Sequence, residues 1–350
     1  MSGPRQVGKT TLAKSILQNE SGYLSWDIPE HREAILKGEL PTSNFYVFDE
    51  LHKFSDWRNY LKGLYDSMGD RKKILVTGSA RLDYFRYSGD SLQGRYHHLR
   101  LHPLTAAELD IRNDEDFQSL LTLGGFPEPF FSGSETEARR WSREYRNLII
   151  RQEMRDMQEV LDLGKVELLV LRLPELVGSP LSVNAIREDL RVSHKTAEKW
   201  ITALERLFAV VRIAPFGAPK IRAVTKAQKH YHFDWTVIPD KAIRFENLVA
   251  IHLLKWVNFI QDVKGRDCEL RYFRDIDGRE VDFVITENNR PITFIEVKWN
   301  DESISKGLRY LKQRFPAASA MQVSAIGNKD YETVDGYRVM PARIFLRDLV

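Results

Sequence analysis

Residues 3–10 read Gly-Pro-Arg-Gln-Val-Gly-Lys-Thr, two glycines, a lysine and a hydroxyl in the spacing G-x-x-x-x-G-K-[ST]. That set suits a polyphosphate. Gly3 and Gly8 let backbone N–H groups turn inward with no Cβ in the way. Lys9 has the reach for β- and γ-phosphates, Thr10 offers a hydroxyl to Mg²⁺, and Thr11 completes the cofactor-binding set. Residues 11–18 have helix-forming composition, with Leu12, Ile16 and Leu17 on one stripe. A helix N-terminus should therefore aim its free N–H groups at the phosphates. ATP with Mg²⁺ is the cofactor pair that this chemistry predicts.

A second chemical group follows at Asp49-Glu50, after the apolar run Phe45-Tyr-Val-Phe48. A continuous apolar run predicts a buried parallel strand. Carboxylates at its C-terminal end stand where open α/β sheets place their ligands. In that setting Asp49 holds Mg²⁺ through water and Glu50 orients the attacking water. Lys73-Ile-Leu-Val-Thr77-Gly-Ser79 predicts the neighbouring strand, with Ser79 as the polar tip that senses the γ-phosphate and Thr77 as the second candidate.

The third group lies near the C-terminus. Residues 278–286 and 292–298 predict a β-hairpin turning at 287–291. A hairpin centred on Asn289 sets Asp282 opposite Glu296, and alternation puts Lys298 on the same face. Two carboxylates and a lysine on a largely apolar hairpin carry a high desolvation cost. Carboxylate oxygens suit Mg²⁺. A lysine beside them orients a metal-activated water and stabilises charge on a phosphate.

The elements that must carry these groups are read from periodicity. Tyr23 to Asp27 predicts a short strand and Pro29 to Lys37 a helix. Trp141 to Val160 is a charged helical connector. Residues 165–213 predict helix, turn, helix, turn, helix, strand, with Ser193 capping a helix from His194 to Leu207. Its apolar stripe is Ala197, Trp200, Ile201, Leu204 and Leu207, which leaves His194, Lys195 and Lys199 for phosphates or base edges. Residues 208–213 and 229–233 are candidate wing strands, so this stretch predicts a winged helix-turn-helix.

The P-loop, Asp49-Glu50, Thr77-Gly-Ser79, Gly94-Arg95, Pro103-Leu-Thr-x-x-Glu108 and Gly124-Gly-Phe-Pro, in this order, resemble the AAA-type ATPases of bacteria and archaea that carry a C-terminal domain of unknown function. The resemblance spans essentially the whole chain. It implies that Arg95 serves as an arginine finger or sensor for the γ-phosphate. The C-terminal group resembles the PD-(D/E)XK nuclease-like fold, with Glu246 on its first helix, then Asp282 and Glu296-x-Lys298. That resemblance implies a metal set of Glu246, Asp282 and Glu296 with Lys298 catalytic. Val281 stands where that motif has proline.

The bulk properties agree with a multidomain chain of 350 residues. Hydrophobic residues make up 43% and charged residues 29%, ordinary for a globular protein. The formal net charge of +3 leans only mildly toward nucleic acid. The single cysteine, Cys268, excludes an internal disulfide and predicts a reducing, cytoplasmic setting. No apolar run reaches the roughly 18 residues that span a bilayer, so no membrane partner is expected.

The expected architecture is α/β in three parts: a P-loop domain over 1–135, a connector and winged helix over 136–238, and a nuclease-like domain over 239–350. The expected function is ATP hydrolysis coupled to DNA, with metal-dependent cutting by the last domain and self-association into a homo-oligomer. The alternatives are a non-cleaving ATP-dependent switch that binds nucleic acid or protein, and an inactive, truncated form. A P-loop normally follows a buried strand, and only two residues precede Gly3. The expectation is therefore a start lying upstream, a bare edge on the strand ending at Asp49, and a mobile segment from Met1 to Val7.

Overall fold

The computed structural model describes residues 1–17, 20–68, 72–78, 92, 94–154, 162–217 and 228–349. The chain divides into two compact units, Met1–His102 with Arg206–Phe208, and Pro103–Glu205 with Ala209–Val350.

In the first unit α1 (Lys9–Ser15), α2 (Pro29–Lys37) and α3 (Trp57–Met68) pack on the strands β1 (Tyr23–Ser25), β2 (Phe45–Asp49) and β3 (Lys73–Thr77). The three strands are parallel in the order β1-β2-β3. The apolar run of β2 is explained by burial on both faces. Tyr46 and Phe48 pack with Ile35 of α2 and Leu61 of α3, while Val47 packs with Ala13 of α1. Alternation along one strand thus serves two helix layers.

The helix α1 does not bury Leu12 and Ile16, which are 41% and 46% exposed. It packs through Ala13 and, one turn on, Leu17. A small residue lets the helix lie close on Val47 and Tyr23, so the buried stripe is shifted by one position.

The sheet edge also differs from expectation. The strand β2 is central, paired on both sides, and has no bare edge. The chain start lies instead beside β3. The Met1 ammonium donates to the Val76 carbonyl at 2.6 Å. Ser2 makes a parallel bridge to Arg100, its N–H donating to Leu99 O and its carbonyl accepting from Leu101 N–H, each at 2.9 Å. Ser2, Gly3, Pro4 and Val7 are buried. Met1 to Val7 thus lies against β3 and the 99–101 segment in this structure.

The second unit opens with helices α4 (Asp114–Leu123), α5 (Pro127–Ser132), α6 (Glu135–Leu148), α7 (Leu163–Arg172), α8 (Val183–Leu190) and α9 (His194–Arg206). Then come β4 (Val210–Pro215), β5 (Lys229–His232), α10 (Lys241–Lys264), β6 (Cys268–Arg274), β7 (Glu280–Glu287), β8 (Arg290–Lys298), α11 (Lys306–Arg314), β9 (Ser319–Ser324), β10 (Tyr331–Glu332), β11 (Tyr337–Pro341) and α12 (Ala342–Arg347). The strands form one mixed sheet in the order β10-β11-β9-β8-β7-β6-β4-β5. The antiparallel pair β4–β5 continues this sheet, because β4 also pairs in parallel with β6.

The hairpin β7–β8 turns at Asn288 and Asn289, both with positive φ (49° and 62°), as a two-residue hairpin turn requires. A register shift between Ile285 and Thr286 moves the pairing by one residue. Beyond it Phe283 faces Ile295, which sets Asp282 against Glu296.

The two motifs around residues 103–108 and 124–127 are packing devices of this second unit. Leu104 N–H donates to Gly125 O at 2.7 Å. A Cβ on Gly125 would lie 2.5 Å from the Trp235 ring and 2.7 Å from Leu104 O, so only glycine fits. Phe126 packs against the stacked rings of Trp141 and Tyr145 of α6. Glu108 pairs with Lys255 of α10, and Ala106 N–H donates to His252 Nε2 at 3.1 Å.

Candidate functional site

The P-loop of the first unit is built by backbone conformation. Gly8 caps α1 in the left-handed region at φ 98°, and Gln6 is left-handed at φ 59°. Gly3 has φ 150°, and a Cβ there would lie 2.2 Å from Leu101 O. The first glycine of the motif thus lets the loop enter against the 99–101 segment. Lys9 is only 8% exposed. Its ammonium is drawn back onto the loop, donating to Gly3 O at 3.1 Å and Pro4 O at 2.5 Å.

Asp49 ties the loop to the sheet. Its Oδ2 accepts from Thr10 Oγ1 and from the Tyr23 hydroxyl, each at 2.8 Å, and its Oδ1 accepts from Thr77 Oγ1. Thus α1, β1, β2 and β3 meet on one buried carboxylate. Burial, and then the Asp49 charge, push the Tyr23 phenol up. Tyr23 was missed in the sequence reading. Its only signal was a phenol opening a short strand, in register with Val47. The oxygens of Thr10 and Asp49 are hard donors of the kind Mg²⁺ takes, and they lie within a hydrogen bond of each other, so the residues present fit that ion.

Glu50 follows at the tip of β2 with φ 55°, its N–H donating to Thr77 O at 2.9 Å. A non-glycine residue in this conformation costs of order 1 kcal/mol, a cost found at functional sites. Its carboxylate lies 3.3 Å from Lys53 Nζ and 3.7 Å from His52 Nε2. Burial raises its pKa, partly offset by Lys53.

Thr77 belongs to the Asp49 cluster, while Ser79 lies outside the described residues. Thr11 is exposed on α1. Arg95 Nε pairs with Asp66 at 3.3 Å, both side chains partly exposed. His98 shares a 2.8 Å hydrogen bond with Ser2 Oγ.

A second cluster lies in the second unit. It brings together Glu246 of α10, Glu280 and Asp282 of β7, and Glu296 and Lys298 of β8. The sequence reading missed Glu280, and Tyr231 and Lys229 of β5; the lysine is 1% exposed. Its ammonium lies 2.7 Å from Glu280 Oε1, 3.4 Å from Glu246 Oε1 and 3.8 Å from Asp282 Oδ1. Tyr231, two residues on, donates to Glu246 Oε1 at 2.7 Å. Asp282 Oδ2 accepts from Val297 N–H at 2.8 Å, and Lys298 pairs with Glu296 Oε1 at 2.9 Å. A lone lysine in the otherwise apolar and aromatic run Lys-His-Tyr-His-Phe was the available signal, since such a charge demands partners.

Burial pushes the Glu246 and Glu296 carboxyls up to about 7, with the charge of Asp282 adding to it. Burial works against the Lys229 charge, but Glu246, Asp282 and Glu280 outweigh it and hold the lysine above its ordinary value. Among the described residues no group of three or more His, Cys, Asp or Glu is arranged to hold a metal ion. Lys306, on α11, is exposed, and Tyr310 stacks on Phe273 beneath Arg279.

These shifts have opposed consequences for stability. A glutamate raised from 4.5 to about 7 holds its proton more tightly when folded. Its contribution is full below about 4.5 and is lost as pH rises through 7. His230 and His252 are pulled by burial down to about 4, so their contribution is full above 6.5 and is lost as pH falls toward 4. These contributions, with that of His232, which burial also pulls down, oppose one another between pH 4.5 and 6.5, so a difference measurement is needed. Relative to the parent, Glu296→Gln should gain stability from pH 5 to 7 by up to about 1.4 kcal/mol per unit, then level off. Parallel melting curves for the two proteins across that range would contradict the assignment.

In α9 the residues Ala197, Trp200, Ile201 and Leu204 are buried, while His194, Lys195 and Lys199 are exposed. Ser193 Oγ caps the helix by accepting from Thr196 N–H at 3.0 Å. Arg212 of β4 binds Glu198 at 2.6 Å and Glu205 at 2.5 Å, so the acidic residues of this helix are satisfied internally. No helix of the described residues is long and apolar enough to cross a membrane.

Comparison with known proteins divides the chain in three. Residues 1–110 match the family model of an AAA domain. Residues 114–239 match a Domain of unknown function (DUF8612), and residues 243–345 match a Domain of unknown function (DUF4143). With the loop geometry above, the first of these matches makes the N-terminal unit a P-loop domain of the AAA class. Uncharacterized proteins of Mycobacterium tuberculosis and Mycobacterium bovis are each 21% identical over 322 residues, 88% of this chain and 72% of theirs. Among solved structures, a variant of Thermotoga maritima RuvB is 17% identical with a TM-score of 0.26, covering 60% of this chain and 80% of its own. The ORC1 protein of Aeropyrum pernix in complex with DNA is 16% identical with a TM-score of 0.32, covering 71% of this chain and 85% of its own.

Proposed function

We propose that this chain is an ATP-hydrolysing switch that works on or with DNA. The observation that carries the reading is the Asp49 cluster, in which a P-loop hydroxyl and two further hydroxyls converge on one buried carboxylate. Gly3, Gly8 and Thr11 shape the loop's backbone around the phosphates, and Lys9 exchanges its loop carbonyls for phosphate oxygens. Thr10 and Asp49 would hold Mg²⁺, which when bound neutralises charge on the β- and γ-phosphates. Glu50 orients and polarises the water, with its lysine and histidine neighbours restraining its carboxylate. Ser79 or Thr77 senses the γ-phosphate. Arg95 acts on it only by leaving Asp66, an exchange that its partial exposure permits. Phosphate release by the whole chain, measured with and without duplex DNA, tests the reading. Mg²⁺-dependent turnover is expected, and none at millimolar ATP would overturn it.

The three parts are assigned to 1–135, 136–238 and 239–350, as ATPase, winged helix and PD-(D/E)XK-like domain. DNA contact is assigned to the exposed face of α9. This is supported by an internally satisfied acidic side, which leaves His194, Lys195 and Lys199 facing solvent. Replacing Lys195 and Lys199 together by alanine should weaken duplex binding and lower the salt slope of log affinity by roughly 2. An unchanged slope would remove α9 from the interface. Of the two C-terminal readings, the non-cleaving one is favoured, because a lysine stands among the carboxylates that cutting would need for metal.

A further inference from the structure

We propose that Lys229 stands in for the divalent ion of the C-terminal carboxylate cluster, so that this domain carries a built-in cation and a latent metal site that the lysine closes. The inference rests on the PD-(D/E)XK-like reading of residues 239–350 and is independent of ATP binding.

Metal binding by this set would need free oxygens on Glu246, Asp282 and Glu296, converging at about 2.0–2.6 Å from one point. Both oxygens of Asp282 already have a partner nearby. One of its oxygens accepts from Val297 N–H at 2.8 Å and the other faces Lys229 at 3.8 Å. Glu246 Oε1 takes the Tyr231 hydroxyl at 2.7 Å and lies 3.4 Å from the same ammonium. Glu296 gives Oε1 to Lys298 at 2.9 Å, which leaves Oε2 as its one buried oxygen without a hydrogen bond. Each of the three carboxylates thus already has a lysine ammonium within 4 Å, Lys229 for Glu246 and Asp282 and Lys298 for Glu296, which a divalent ion would have to displace.

The lysine is fixed where it is. The strand β5 is the last of the sheet and pairs with β4, and Lys229 itself stands opposite Ile213. Its ammonium is 5.6 Å from the centre of the Tyr272 ring on the neighbouring β6. At 1% exposure it is shielded from water, and it pairs with carboxylates from two elements, α10 and β7, at once. A divalent ion entering beside it would meet a fixed positive charge and would compete with it for Glu280, Glu246 and Asp282. The chemistry of the donor set therefore does not fit Mg²⁺ while Lys229 is present.

Lys229→Met tests this by removing the charge and keeping the length of the side chain. Manganese binding is followed on the full, nucleotide-free chain by the loss of the free Mn²⁺ electron-spin signal. The parent and Asp282→Asn should bind the same amount of Mn²⁺. Lys229→Met should take up one Mn²⁺ more per chain, and Lys229→Met/Asp282→Asn should lose it again. The uncovered carboxylates should also lower the melting temperature of Lys229→Met by roughly 10 °C, and millimolar Mn²⁺ should restore part of that only when Asp282 is present. A merely structural lysine would give the fall without the rescue. If Lys229→Met does not fold, parent against Asp282→Asn still decides. One more Mn²⁺ on the parent than on Asp282→Asn would overturn the proposal and return the cluster to the cleaving reading. A folded Lys229→Met that gains no Mn²⁺ would overturn it and count against the nuclease-like assignment as well.

Discussion

Lys9→Ala should weaken MgATP binding by about 100-fold or more. The lysine is nearly buried, and its ammonium donates to Gly3 O and Pro4 O within the loop it serves. Phosphate oxygens are better acceptors than these carbonyls, because the hydrogen bond becomes charge-assisted on both sides. Truncating one partner of such a desolvated pair costs on the order of 3 kcal/mol, which is roughly a hundredfold in affinity. The effect on folding should be smaller, since the loop is also held by Gly3 against Leu101 and by Thr10 on Asp49. Titration calorimetry on the two proteins checks it. Equal affinities would remove Lys9 from the site.

Glu50→Gln should leave MgATP binding intact and lower turnover by roughly 10²–10⁴-fold, the usual range for a positioned general base. The substitution keeps the shape and the backbone conformation at φ 55° while removing the charge. Burial raises the pKa of Glu50, and Lys53 partly counters that shift, so the group is a stronger base than an exposed glutamate. Binding depends on the loop, Thr10 and Asp49, none of which the change touches. Single-turnover hydrolysis beside a binding titration separates the two effects. A variant that hydrolyses ATP at the parent rate would take the catalytic role away from Glu50.

The chemistry of the first unit was legible because its residues are close in sequence and their spacing is set by the ligand. Gly3 to Thr10 and Asp49-Glu50 could be read without knowing the fold. The contributions of Tyr23 and Thr77 to the Asp49 cluster depend on strand register, which no local pattern encodes. The stripe of α1 was misread because Leu12 and Ile16 are more hydrophobic than Ala13, while close packing over Val47 selects the smaller residue. In the hairpin the carboxylate pairing was read correctly, although the tight turn at Asn288–Asn289 yields it only through the register shift near Ile285. Lys229 was unreadable as a partner of Asp282. The two are brought together by β5 joining the sheet through β4 and β6, a long-range pairing decided by the whole domain. The motifs at 103–108 and 124–127 were visible, yet their use as packing devices around Trp235 and α10 appears only in three dimensions.

The central claim is that the P-loop unit holds MgATP. Its most direct test is a calorimetric titration of the unmodified chain with ATP, in excess Mg²⁺ and again in excess chelator. The expected result is one site per chain with micromolar affinity in Mg²⁺ and a clear weakening without it, because Thr10 and Asp49 then face the phosphates with no ion between them. No binding at millimolar ATP in the presence of Mg²⁺, by a chain shown to be folded, would contradict the account.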